Sequence, residues 1–201
     1  MGILLAIDTA GPRLQLALRR AETTDVLVED MPTGQAERIF PALADLLARN
    51  GVTYADLTRI AVTTGPGSFT GVRIGLSAAR GLGLALGIPV IGVPSLFALS
   101  LGAKSDALAV LLDARRGEAY FQLFSGAGRP DGEPALLDMD TARGRVPAGA
   151  DLITDATIDI RRLADFALTA DPADFPPDAA YVRDADAKPQ DKFRVARVEP
   201  A

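Results

Sequence analysis

The sequence predicts an α/β protein with a mixed sheet. Three observations carry that reading: an apolar run of strand length that stops at Asp8, two helical stretches each followed by a short apolar run, and a weaker return of the pattern past residue 104. Residues 3–7 (ILLAI) are continuously apolar, as in a central strand, and run into Asp8-Thr9-Ala10. Residues 14–18 alternate and end at Arg19-Arg20 after a Gly11-Pro12 turn, and residues 26–31 supply a third strand. Short turns join the three into an antiparallel meander. Residues 36–50 carry Ile39, Phe40, Leu43, Leu46 and Leu47 at helical spacing, with Gly51 as the stop. Residues 54–57 make a turn of helix and 59–63 a fourth strand. A second helix over 70–86 ends at Gly87-Ile88-Pro89, residues 90–93 form a buried strand, and a third helix runs from Ser95 to residue 101. The order is β-β-β-α-β-α-β-α.

The second half restarts with an apolar strand at 107–112 ending in Asp113, followed by a strand at 119–124. Residues 126–134 are rich in turn formers and read as a connection. Residues 152–154 read as a short strand and 160–168 as a helix. Beyond Asp171 proline, alanine and aspartate dominate. That stretch is expected to be mostly extended and poorly packed, with 180–183 (AYVR) its one anchored segment and the last ten residues a tail. Strands 3–8 and 109–113 both end in aspartate, which suggests an internal duplication.

Composition narrows the chemistry. The 201 residues include no cysteine and no histidine, which removes disulfides, thiolate nucleophiles, Ser-His-Asp catalysis and His-ligated zinc. A net charge of −5 and a pI near 4.8 make the chain a poor holder of nucleic acid by itself. Residues 81–103 carry no charge and are long enough to span a bilayer, yet Pro89, Pro94 and five glycines break them into helix end, strand and new helix. A soluble, cytoplasmic protein is expected. Residues 2–6 lack the basic residues of a signal peptide, and Asp8 interrupts the apolar run.

The stretch 63–93 is the most informative. Gly65-Pro66-Gly67 makes a turn, and Ser68 and Thr70 offer hydroxyls to cap the helix that follows. Gly71, Gly75, Ala79, Gly83 and Gly87 then recur at every fourth position. Each interior glycine costs a helix about 1 kcal/mol relative to alanine, so the row needs a reason. Residues at i and i+4 share one ridge, and a ridge without side chains leaves a groove in which another helix can lie. The row reads as a packing surface first and a ligand loop second.

Other motifs have two readings each. Asp8-Thr9-Ala10-Gly11 is a loop that turns N–H groups toward phosphate, or a strand end and Gly-Pro turn. GPGSFTG at 65–71 lacks the Gly-Lys-Ser/Thr ending of a P-loop, and Phe69 would sit inside any phosphate cradle. A capped helix with an exposed aromatic anchor fits it better. Asp113-Ala114-Arg115-Arg116-Gly117-Glu118 is a catalytic cluster or a salt-bridged turn. Arg73 and Arg80, two helical turns apart, are interface groups or solvated charges. Ser68 has no histidine to activate it, and only Lys104, Lys188 and Lys192 could substitute as a base.

Read together, these pieces resemble the TsaB family, also called YeaZ. The matching segments are ILLAIDTA at 3–10, ERIFPAL at 37–43, GPGSFTGVRIGLSAARGLGLALGIPVIGVPSL at 65–96, LLDARRGEAYF at 111–121 and AYVRDADAK at 180–188. The resemblance implies a two-lobed fold of the actin/sugar-kinase/heat-shock-ATPase superfamily, with the second lobe reduced. It also implies a non-catalytic subunit that pairs with a TsaD-type transferase, which modifies N6 of adenosine 37 in tRNA. A TsaE-type ATPase joins that pair, and tRNA is met only through the complex. The helices at 36–49 and 70–86 would form a four-helix bundle with the partner's pair, or with a second copy of the chain.

The expected partner interface is Arg38, Phe40, Phe69, Gly71, Arg73, Gly75, Ala79 and Gly83, on an N-terminal lobe at 1–103. The C-terminal lobe is 104–201. No cofactor, metal site or catalytic residue is expected. TsaD-type subunits carry His-x-x-x-His where this chain has Gln35 and no histidine. The superfamily's glycine-rich adenosine loop has no counterpart after Gly149, and Ala114 and Arg115 crowd the second phosphate loop. The competing readings are an ATP-dependent phosphotransferase or ATPase of the same superfamily, and a glycoprotease-like metallopeptidase.

Overall fold

A computed structural model describes residues 2–180 and residue 182. Most of the AYVRDADAK segment, the final tail, Lys188 and Lys192 therefore lie outside the described residues. Three antiparallel strands open the chain: β1 (Ile3–Asp8), β2 (Arg13–Arg20) and β3 (Thr23–Asp30). Then come α1 (Gln35–Arg49), a short 3-10 turn at Tyr54–Asp56, and β4 (Leu57–Thr63). Next are α2 (Phe69–Leu86), β5 (Val90–Val93) and α3 (Ser95–Ser100). The five strands form one sheet in the order β3-β2-β1-β4-β5, with β4 and β5 parallel to β1.

The second half contributes β6 (Leu108–Arg115), β7 (Glu118–Phe124), β8 (Pro130–Asp138), α4 (Met139–Gly144), β9 (Asp151–Ile153) and α5 (Ile160–Ala167). Its sheet runs β8-β7-β6-β9, antiparallel except for β9 on β6. The path β6-β7-β8-α4-β9 repeats β1-β2-β3-α1-β4, so the duplication read from two aspartate-ended strands is present in the connectivity. The architecture is α/β, two mixed sheets with flanking helices.

Strand alternation sorts the core into layers. On β1, Leu5 and Ile7 face α1 and α2 together with Leu16, Ile39, Leu43, Leu46, Ile60 and Leu76. Leu4 and Ala6 face the other way, onto a layer holding α3, α5 and the inward side of the second sheet through Leu108, Val110 and Leu112. The outer side of the second sheet, Ala109, Leu111 and Phe121, is covered by α4 through Ala142. Each leucine or isoleucine so buried contributes roughly 1.5–3 kcal/mol.

Two expectations fail here. The 126–134 connection is in part a strand, because β8 begins at Pro130 and pairs with β7. Its register slips between Phe121 and Leu123, which face Ala135 and Asp131, and the looped-out segment holds Gly132 at φ 94° and Pro134. Proline and a left-handed glycine are tolerated because this is an edge strand with a bulge. Within residues 171–180 the chain is anchored rather than loose. Phe175 contacts the rings of Phe97 and Phe166 at centroid distances of 5.5 and 5.0 Å. Gly92 N–H donates to Phe175 O at 2.8 Å, and Ala180 N–H donates to Thr64 O at 2.9 Å. Residues 171–180 thus wrap the β5 edge, and a side chain at Gly92 would meet Pro176 O at 2.3 Å.

Candidate functional site

Helix α2 starts where the sequence expects a cap. Ser68 Oγ accepts the Gly71 N–H at 3.2 Å, and the helix stops at Gly87, whose φ of 66° suits a residue without Cβ. Phe69 follows the cap and is 65% exposed, as an aromatic anchor would be. The Arg73 guanidinium lies 3.3 Å above its ring centroid, a cation–π contact that holds the ring at the surface.

The glycine row points the other way. Gly71, Gly75, Ala79 and Gly83 are all buried against the chain's own sheet. A Cβ at Gly71 would lie 2.0 Å from Thr9 O, at Gly75 2.5 Å from Thr9 Oγ1, and at Gly83 2.3 Å from Val90 Cγ2. The ridge is empty so that α2 can lie directly on the β1 end and on β4 and β5. The ridge is covered by the chain's own sheet rather than left as an open groove, and those four residues are buried within the chain. The reason is the Asp8-Thr9-Ala10 loop, which rises into the helix. Thr9 Oγ1 donates to Gly71 O at 2.7 Å, and Ser68 N–H donates to Ala10 O at 2.7 Å.

The same contacts decide what the Asp8 loop can do. Asp8 is buried, and its carboxylate accepts from Ala10 N–H at 3.1 Å, Thr63 Oγ1 at 2.7 Å and Gln15 Nε2 at 2.9 Å. Gln15 Nε2 also reaches Ile158 O at 3.2 Å, tying the loop before α5 to the first sheet. Asp8 is engaged with the fold on both oxygens, and the loop that follows it is bonded to the start of α2. At the second loop, Arg115, Arg116 and Gly117 all have positive φ, and Asp113 Oδ1 accepts the Arg115 N–H at 2.7 Å. That is a tight hairpin turn. Among the described residues no cluster of three or more carboxylate, histidine or cysteine ligands could hold a metal ion. Among them, too, no helix is long and apolar enough to cross a membrane.

What α1 and α2 present outward is a different set. Between them runs a groove of about 440 Å³ floored by Ala36, Ile39, Ile74 and Ala78 and flanked by Phe40, Phe69 and Arg73. Phe40 is 48% and Leu84 87% exposed. The small residues that do face outward are on α1, where Ala36, Ala44 and Ala48 lie exposed on one side with Phe40. Sequence reading missed Ala44, Ala48, Ser77 and Leu84. The i, i+4, i+8, i+12 spacing of Ala36, Phe40, Ala44 and Ala48 is the signal that could have found them.

Of the eight expected interface residues, Phe40, Phe69 and Arg73 come together on this face. Arg38, a third exposed, is paired within the chain. Its guanidinium donates to both Glu29 oxygens at 2.6–3.1 Å and to Asp45 Oδ2 at 3.2 Å. The hydrogen bonds from Arg38 hold the Glu29 carboxyl below the ordinary carboxylate range, and the same partners raise the Arg38 pKa.

Comparison with known proteins follows the same outline. A family model described as TsaD, tRNA N6-adenosine threonylcarbamoyltransferase, matches residues 32–131. A Mycobacterium bovis protein without assigned function is 40% identical over 152 residues, 73% of this chain and 72% of that one. The Escherichia coli tRNA threonylcarbamoyladenosine biosynthesis protein TsaB is 42% identical over 122 residues, 59% of this chain and 53% of that one. The solved structure of YeaZ from Pseudomonas aeruginosa superposes with a TM-score of 0.74 at 28% identity, over 90% of this chain and all of that one. The chain belongs to the TsaB (YeaZ) family. It spans about half the length of the Escherichia coli TsaB. The superposition carries the fold described above, two mixed sheets with flanking helices.

Proposed function

We propose that this chain is a non-catalytic subunit in the synthesis of N6-threonylcarbamoyladenosine at position 37 of tRNA. In this reading it acts in the cytoplasm by pairing with a TsaD-type transferase through the outer faces of α1 and α2. A TsaE-type ATPase joins the pair, and tRNA is held by the assembly, in keeping with the chain's net charge of −5. The observation that carries the reading is the exposed apolar face bearing Phe40, Phe69 and Leu84 on two neighbouring helices. A monomeric protein rarely leaves so large an apolar group of side chains in water without a use. Aromatic side chains beside an arginine are the composition of a binding hot spot.

Two further facts support it. Relatives at 42% and 36% identity, from Escherichia coli and Bacillus subtilis, are named for threonylcarbamoyladenosine biosynthesis. In addition, both oxygens of Asp8, the acid that would hold a nucleotide's metal-bound water, are occupied by the fold. The test is light scattering of the chain alone, the cognate TsaD-type subunit alone, and the mixture. A 1:1 complex that is lost in Phe40→Ala/Phe69→Ala supports the reading. Undiminished complex with that variant overturns it. The chain alone establishes whether the same face also holds a second copy.

A further inference from the structure

We propose that two arginine forks, Arg38 on Glu29 and Arg49 on Asp25, set the tilt and rotation of α1, and so position the face that carries Phe40, Ala44 and Ala48. The proposal rests on the docking reading above only for its functional consequence.

The inner side of α1 is apolar. Ile39, Leu43, Leu46 and Leu47 pack against the sheet, and such contacts have no preferred direction. Packing fixes which side of the helix is buried, but small rolls and slides about that setting meet no directional bond from these contacts. The forks are directional. Arg38 makes three hydrogen bonds to Glu29 through Nε and Nη2. Arg49 sets Nε and Nη2 on the two oxygens of Asp25 at 2.6 and 2.7 Å, with a further bond to Val26 O at 3.0 Å. Bidentate pairs of this kind fix orientation as well as distance.

Their spacing makes two attachments act as one clamp. Arg38 and Arg49 are eleven residues apart, about three helical turns, so they leave the same side of α1 some 16 Å apart along its axis. Asp25 and Glu29 are four residues apart on β3, on one face of the strand and about 13 Å apart. The pairing is antiparallel: the N-terminal arginine takes the C-terminal acid. One attachment would leave a pivot, but two remove it. Asn50 Nδ2 adds a bond to Asp25 at 2.7 Å, and Asp45 braces Arg38 from within the helix. At the other end, buried Gln35 donates to Gly11 O and Arg13 O, each at 3.0 Å. The strand that receives the forks is itself fixed over its full length by its ladder to β2. Arg38, Arg49, Glu29 and Asp25 are therefore positioning residues that need not touch the partner.

The chain has no cysteine, so Ala44→Cys on α1 and Ser77→Cys on α2 give a clean spin-label pair on two exposed sites. The interlabel distance distribution is read by pulsed electron resonance in the otherwise native chain, in Asp25→Asn/Glu29→Gln, and in Arg38→Lys. Affinity for the TsaD-type subunit is read in parallel on the same variants without the cysteines and labels, and circular dichroism reports folding. The expected result is a narrow distribution that broadens or shifts in the double variant. A loss of affinity of ten-fold or more should accompany it, and Arg38→Lys, which keeps charge but not the fork, should fail to restore the narrow distribution. A distribution unchanged in a folded double variant overturns the proposal. Should the double variant fail to fold, the single variants and a titration of the native chain to 1 M salt give the same readout. If the TsaD-type subunit does not bind even the native chain, the docking reading falls while the distances still decide this one.

Discussion

Replacing Gly71 with alanine tests which way α2 faces. The added Cβ would stand 2.0 Å from Thr9 O, a backbone atom that cannot swing aside. Gly71 lies in the first turn of α2, where the substitution gains at most about 1 kcal/mol from propensity. Relieving the contact requires α2 or the Asp8 loop to move by more than 1 Å, and overpacking of this kind costs about 1–3 kcal/mol. The same movement breaks the bonds from Thr9 Oγ1 to Gly71 O and from Ser68 N–H to Ala10 O, worth about 1 kcal/mol each. The net loss is roughly 2–4 kcal/mol, which in a chain of this size lowers Tm by about 5–15 °C. Gly81→Ala in the same helix is the control. Nothing lies within 4 Å of its Cβ, so only the propensity term remains and stability rises by about 1 kcal/mol. Urea denaturation of the three proteins, with m-values compared, measures both. If Gly71→Ala is as stable as the native chain, the ridge does not lie on the sheet, and the reasoning about α2 is wrong.

Phe69→Ala should leave stability within about 0.5 kcal/mol, because the ring is largely in water, while binding to the TsaD-type subunit falls by about thirty-fold or more in calorimetry. Asp25 and Glu29 titrate below their ordinary values of 3.8 and 4.5, held down chiefly by hydrogen bonds from Arg49 and Arg38. Their folded pKa values lie below the unfolded ones. The stability they add is therefore complete above about pH 5 and lost as pH falls through 4 and below. Asp25→Asn/Glu29→Gln should show a shallower acid limb in stability measured from pH 6 to pH 2. Calorimetry with ATP and Mg²⁺ on the isolated chain should show no micromolar binding, and binding at that level would sink the account of Asp8. Phe175→Ala removes a ring packed on Phe97 and Phe166 and should cost roughly 2 kcal/mol. It should also speed amide exchange at Ala180 and Gly92, and unchanged exchange there would contradict the tight wrap around β5.

The strands and helices that carry long apolar periodicities were legible: β1, α1, α2 and α5 lie where the residue pattern puts them. The direction of the glycine row was not. Periodicity says which residues share a ridge, but a ridge without side chains carries no hydrophobic signal to say whether it faces in or out. The opposite side of α2 carries Thr70, Arg73, Ser77 and Arg80 but also the exposed Leu84, so its signal was mixed. β8 was hidden because Gly132 and Pro134 read as a turn, whereas at a sheet edge they form a bulge within a strand. The Phe97–Phe166–Phe175 contact joins residues up to 78 apart, and the Arg38–Glu29 and Arg49–Asp25 pairs join a helix to a strand. Pairings of that range leave no trace in local spacing. On the candidate site, the exposed aromatic Phe69 and its neighbour Arg73 followed from the cap and the helix start, and the Ala36–Ala48 stripe did not.

The position of α5 bears on how the chain is made. Leu163 and Ala164 lie against the face of the first sheet formed by Leu4, Ala6, Ala17 and Ala61, and Arg19 is bonded to Asp165 across 146 residues. All five strands of that sheet have been synthesised by Val93, yet the helix that covers this face ends only at Ala167. At about 5–20 residues per second the ribosome needs several seconds to add the intervening segment. Between the emergence of β5 and that of α5 an apolar sheet face stands open to solvent, so a nascent chain held at that stage is a natural client for a chaperone that recognises exposed aliphatic surface.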